Sequence, residues 1–324
     1  SGIAAGLGAP TATVGDIKLD ATGNITISQA DIYNQVAAGA AGNAGNIEIN
    51  SRNLTATDRV QLGATTFGQG DAGNVTITAT GNVSFDGTDR SFPSGAFSAV
   101  ELGAVGKGGK VEINAENLSV TNGAQLSTST SGTGNAGNLI VNATTVVIDR
   151  ESPRTSTIPP IPTGLFAQVA ENATGNAGDL TLTTKKLSVS NGGKVQAATF
   201  GKGNGGNLVI KADEIDVFDT PGVITEQLTN INAGLGFDKD RNNSAGKRVQ
   251  AEGKGGNLTI ETRRLSVRNN GAVTSDTIGI GDGGQVSITA TDLVEVSGKN
   301  SRLSVGVDSD ATGNGGELTL KTQR

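Results

Sequence analysis

Aliphatic and polar residues alternate along this chain in short bursts, and each burst begins two residues after a glycine. Ile47 and Ile49 flank Glu48, Val111 and Ile113 flank Glu112, Leu180 and Leu182 flank Thr181, and Leu258 and Ile260 flank Thr259. Alternation of period two predicts strands with one buried face. Nine residues after the glycine a second burst opens at Leu54, Leu118, Leu187 or Leu265, usually followed by x-Val (Val120, Val189, Val267). A turn such as Asn122-Gly123 or Asn191-Gly192 comes next. A third short segment then points Leu62, Leu126, Val195 or Val273 inward. Each unit therefore predicts three short strands, three corners and no helix.

The opening glycines are Gly15, Gly45, Gly73, Gly109, Gly137, Gly178, Gly206, Gly256, Gly284 and Gly316, at spacings of 30, 28, 36, 28, 41, 28, 50, 28 and 32. Every second unit has 28 residues, and the units between are the same unit with an insertion. A fixed period in this range signifies a solenoid. Stacking equivalent strands ~4.8 Å apart completes their hydrogen bonds and lines up their aliphatic side chains. The predicted fold is all-β: a right-handed parallel β-helix of about ten coils, forming one rod over residues 1–324. Twenty-two residues past the glycine stand Phe67, Ser131, Phe200 and Ile278, a column expected to cap the end of the core, with a ligand-stacking ladder as the alternative.

Gly201-x-Gly203-x-x-Gly206 matches the glycine fingerprint of a dinucleotide-binding turn. That turn follows a strand and opens a helix. Here the same spacing recurs at Gly68, Gly132 and Gly279, and a strand follows each copy. The loop is expected to be a corner, where glycine lets the chain turn at φ > 0 and the neighbouring Asn tolerates the same conformation.

The extra residues of the long units, 2, 8, 13, 22 and 4, are placed after the second strand, near 86–98, 149–165, 219–249 and 297–301. Recurring at one phase, they should project from one edge of the rod. Prolines and Phe gather there, so Phe92, Phe97, Pro159, Pro160, Phe166 and Phe237 are candidate interaction residues, with simple covering of an edge as the bland reading. Asp238, Asp240, Asn242 and Ser244 are spaced two apart like the start of a calcium loop, but the glycine and the closing glutamate of that loop are missing. Asp213, Glu214, Asp216 and Asp219 form an acidic cluster that alternating strand faces should spread over solvent.

Composition narrows the chemistry. The 324 residues carry a net charge of −6, 49 Gly, one Tyr, and no Cys, His, Met or Trp. A disulfide, a thiolate nucleophile and an imidazole base are therefore absent from the repertoire. An acidic balance argues against nucleic acid, and no apolar run is long enough to span a bilayer. With neither an initiator Met nor a signal peptide, the chain is expected to be a piece of a longer repetitive protein.

Asn117-Leu-Ser-Val-Thr-Asn-Gly-Ala, Lys186-Leu-Ser-Val-Ser-Asn-Gly-Gly and Thr163-Gly-Leu-Phe-Ala-Gln-Val, with their Gly-Asn-Ala-Gly turns, resemble the repeats of cyanobacterial filamentous-haemagglutinin-like exoproteins over roughly residues 15–324. The resemblance implies a β-helix exported by two-partner secretion and displayed as a cell-surface or extracellular fibre; it supplies no catalytic residues. The resulting expectation is a non-enzymatic adhesin or matrix rod. It needs no cofactor beyond the calcium just considered, and its partners would be itself, end-to-end or laterally, other fibre subunits and cell-surface glycans. The alternative is a β-helix that binds or cleaves polysaccharide with carboxylates. Ice binding through Thr76/Thr78 and Thr181/Thr183 ranks below both, because Glu48, Glu112, Lys211 and Glu261 interrupt those columns.

Overall fold

The computed structural model describes residues 2–7, 14–88, 92–153, 159–236, 251–309 and 311–323. Within them there are strands and no helix, and the strands form two long sheets whose strand pairings are parallel. The chain winds as a parallel β-helix. One sheet stacks the first and second strands of successive coils, from Ile17–Asp20 to Leu318–Thr322. The other stacks the third strands, from Asp31–Val36 to Arg302–Ser304, with Gly2–Leu7 at its outer edge.

In-register pairing turns the sequence columns into physical ones. Val111 lies on Leu139, Leu139 on Leu180, Leu180 on Leu208 and Leu208 on Leu258, all fully buried. The second burst stacks in the same way, Leu118 on Val146 on Leu187 on Ile215 on Leu265. Leu126, Leu165, Val195, Ile231 and Val273 face them from the third-strand sheet. These residues make one continuous core. A single coil offers each apolar side chain only part of its contacts, so burial comes from the neighbours above and below.

Three short strands per coil hold only at the start. From Val111 to Ser297 the first two run together as one strand of eleven or twelve residues, as in Val111–Thr121, Leu139–Asp149 and Leu180–Ser190. The spacing of the inward aliphatics decides this. Ile113 to Leu118 is five residues and so is Leu182 to Leu187, whereas Leu19 to Ile25 and Ile77 to Val83 are six. Ile49 to Leu54 is also five, but that coil lies between two six-residue neighbours and breaks with them. At the other end, the six-residue step from Ile288 to Val294 is absorbed as a bulge at Thr262/Arg264. The bend falls on small residues. Thr184 Oγ1 there donates within reach of the carbonyls of Thr144 and Lys186 (3.0 and 3.1 Å).

The insertions also differ from the expected single phase. Within 219–249 the strand Asn230–Asn232 pairs in normal register with Lys194–Gln196, and Leu235 bridges Thr199. The third strand therefore lies inside that stretch and divides it. Long coils also share a smaller insertion at the third corner, a turn closed by Ala40 N–H to Ala37 O, Ala104 N–H to Glu101 O and Ala173 N–H to Ala170 O. In the 28-residue coils a glycine fills that place. A Cβ on Gly68 would lie 2.3 Å from Ala40 O and 2.6 Å from Ala37 O, and Gly132 and Gly201 meet the same carbonyl pair of the coil before them. Long and short coils therefore interlock, and the unit of repetition is two coils. The bridge column repeats the alternation: Val36, Thr66, Val100, Thr130, Val169, Thr199, Leu235, Thr277, Val307.

Stacking makes core and corner substitutions costly in different ways. Leu187→Ala removes a side chain buried on all sides and should cost about 2–5 kcal/mol in denaturant unfolding. Gly206→Ala would set a Cβ 1.9 Å from Gly178 O and should cost on the order of 1–3 kcal/mol. The same change at Gly15, which has nothing within 4 Å, should stay within ~0.5 kcal/mol.

Candidate functional site

The Gly-rich loops were expected to be corners, and their amides bear this out. Lys202 N–H donates to Ala173 O (2.9 Å), Gly203 N–H to Glu252 O (2.7 Å), Asn204 N–H to Asn176 Oδ1 (2.9 Å), Gly205 N–H to Lys254 O (2.8 Å) and Gly206 N–H to Ala197 O (2.9 Å). None of these five is left to cradle a phosphate. Gly203, at φ 138°, turns the corner where its would-be Cβ meets Gly175 O. The flanking Asx side chains form ladders up the rod. Asn46 N–H donates to Asp16 Oδ1 and Asn74 N–H to Asn46 Oδ1, and beside them Asp71 N–H donates to Asn43 Oδ1.

A different surface has the shape of a site. On the outer face of the third-strand sheet lies a groove of about 460 Å³. Successive coils supply Gln125, Phe166, Gln196, Asn232, Thr274 and Arg302 to it. Period-two geometry explains the set, because the middle residue of each three-residue strand points into the core and its two neighbours point out. Phe166 and Phe200 close the floor and are buried. The Phe166 ring lies along the sheet over Gly164, where a Cβ would come 2.9 Å from Cζ. Gln196, Asn230 and Thr274 are buried polar groups on the same floor. Gln196 Nε2 donates to Asn230 Oδ1 at 3.3 Å, and Gln125 Nε2 to Pro162 O at 2.9 Å. Gln168 Oε1 is buried and has no partner.

Two insertions wall the groove, one through Pro162 and the next through Glu226, Gln227 and Leu228. Glu151 joins them. Its carboxylate accepts Glu226 N–H at 2.7 Å and Gln227 N–H at 3.0 Å, across the whole coil that intervenes. Burial pushes the Glu151 carboxyl above the ordinary value of 4.5, and the two N–H donors pull against that rise. A hydroxyl fastens each insertion to the short coil beside it. Thr163 Oγ1 accepts Gly123 N–H (2.5 Å) and donates to Arg150 O (2.6 Å), while Thr229 Oγ1 accepts Gly192 N–H (2.6 Å) and donates to the Asp219 carboxylate.

The other sequence candidates scatter. Phe92 is exposed on its loop, Pro159 is exposed and Pro160 buried. Phe97 and Phe166 end third strands, Gly95–Phe97 and Gly164–Phe166, instead of standing in the insertions. Phe237, Asp238, Asp240, Asn242 and Ser244 lie outside the described residues. Among the described residues no group of three acidic side chains is placed to hold a metal. The acidic cluster spreads out: Asp213 is exposed, Glu214 pairs with Arg263 at 3.7 Å, Asp216 with Arg268 at 3.4 Å, and Asp219 turns inward to Thr229. Of the Phe67 column, Phe200 and Ile278 reach the groove; Phe67 is exposed, and none of the three belongs to the main core.

Comparison with family models, curated proteins and solved structures finds no match to this chain. The residues of the groove therefore carry the functional argument themselves. Sequence reading missed Glu151, Thr163 and Thr229. The one signal for the two threonines is positional: a hydroxyl stands immediately before the third strand at Ser94, Thr163 and Thr229.

Thr229→Val leaves the Gly192 N–H without its acceptor and should cost about 1–3 kcal/mol in thermal or denaturant unfolding. The raised Glu151 carboxyl has a pH signature. The folded state holds that proton more tightly than the unfolded state, so its contribution to stability improves as pH falls from 7 through the folded value toward 4.5. The difference in melting temperature between wild type and Glu151→Gln should shift in that window; a pH-independent difference contradicts the assignment.

Proposed function

We propose that this chain is a structural, adhesive rod, part of a secreted bacterial surface or extracellular fibre. The observation that carries the reading is the unbroken stack, in which successive rungs of the two-burst sheet share one aliphatic core. At ~4.8 Å per rung the stack spans roughly 43 Å. A solenoid of this kind is stiff along its axis because every coil is hydrogen-bonded to both neighbours. Its outer faces carry exposed ion pairs such as Lys18–Glu48 and Lys211–Glu261, which contribute little to stability and leave the surface well solvated. The final described strand, Leu318–Thr322, presents an edge that the described residues do not pair, with Leu318 and Leu320 partly exposed. Such an edge accepts further strands, whether of the same polypeptide or of a neighbour. No helix among the described residues is long and apolar enough to cross a membrane. The implied partners are copies of itself and other fibre subunits. Export by two-partner secretion rests on the repeat resemblance alone.

The second reading is polysaccharide cleavage, and the carboxylates of Glu171, Glu226 and Asp276 on the groove are what favours it. Asp276 accepts Gly306 N–H at 2.7 Å and a hydrogen bond from the Ser304 hydroxyl, which ties it into the scaffold.

Negative-stain imaging across a concentration series separates the two. Rods joined end to end or side by side are expected at high concentration. Single short particles at every concentration, together with glycan turnover lost in Asp276→Asn, overturn the fibre reading.

A further inference from the structure

The groove beside the paired insertions has more built into it than a rod needs. Its floor carries buried amides and a hydroxyl, Gln196, Asn230 and Thr274. Beside that floor, Gln168 Oε1 is buried with no donor. Buried polar atoms without partners are uncommon, and each calls for an explanation. The volume and the mixture of aromatic floor with convergent polar groups are those of a ligand site.

We infer that this groove binds an extended neutral glycan lying along the rod axis. Three observations select that class. Amides both donate and accept, which suits hydroxyl groups that also do both. The charges on the walls nearly cancel, Lys194 and Arg302 against Glu171, Glu226 and Asp276, so the groove has no cationic track for a polyanion. The polar groups repeat at the coil spacing of ~4.8 Å, whereas an extended peptide repeats on one face only every ~6.6 Å. A chain of linked pyranose rings repeats close to the coil spacing and can meet each coil in turn.

The walls are held in place before any ligand arrives. Glu151 locks the 219–229 insertion to its own, and Thr163 and Thr229 fasten both to the short coils. Little ordering is then left for binding to do. This inference deepens the adhesive reading by naming what the rod would adhere to, and it rests on that reading.

Affinity electrophoresis of the whole chain in gels containing a neutral β-glucan, a neutral mannan or polygalacturonate tests it. The neutral polymers are expected to retard wild type, and titration with a six-sugar oligosaccharide of the retarding polymer to saturate. Gln168→Ala, at the unpaired oxygen, should weaken binding roughly three- to tenfold with an unchanged melting temperature, and Asn232→Ala should weaken it as much while lowering the melting temperature, because Asn232 Oδ1 accepts Gly234 N–H at 2.7 Å. Retardation by polygalacturonate alone, binding only to an extended peptide array, or neutral-glycan binding indifferent to both variants overturns the proposal. Rods that still assemble under the microscope while no glycan binds would sink this inference and leave the fibre reading standing.

Discussion

One constraint organises the molecule: each coil must hydrogen-bond to the next at the spacing of paired strands. Everything else accommodates that demand. Corners cannot carry side chains that lean into the coil below, so glycine holds the positions where a Cβ would strike a carbonyl, as at Gly134, Gly203 and Gly281. Polar residues survive at corners when they can repeat the backbone's vertical bonding. The Asx ladders do this until Lys107 and Lys110, whose side chains carry no acceptor atom, and they resume at Asn135 and Asn138. The core is then a consequence, because strands in register bring like positions together.

Alternation between long and short coils adds a second level. The short coil's third corner is a glycine fitted under two carbonyls of the preceding long coil, and the long coil's hydroxyl before its third strand receives an amide of the short one. Fully buried threonines occupy the bridge column in short coils, and the Oγ1 atoms of Thr130, Thr199 and Thr277 have no partner.

The architecture was legible because a period-two pattern at a 28-residue interval leaves few alternatives. Ile47/Ile49 and Leu54 announced their faces, and the glycine spacing announced the stack. The merging of strands was less legible. It depends on whether five or six residues separate inward aliphatics such as Ile113 and Leu118, and on the neighbour's spacing as well. The 219–249 segment misled because the third strand inside it, Asn230–Asn232, carries a single aliphatic, Ile231, between polar residues. The groove was hidden for another reason. Gln196, Asn232 and Thr274 look like ordinary outward positions until the coils are stacked and the insertions raise walls beside them.

Glu151 carries a mechanical consequence. In a solenoid, each turn ordinarily senses only the turns touching it, and strain applied at one end can peel turns off singly. A carboxylate clasping amides 75 and 76 residues away breaks that rule. Three turns around it become one cooperative block, so a rod pulled from either end should resist longest in its middle.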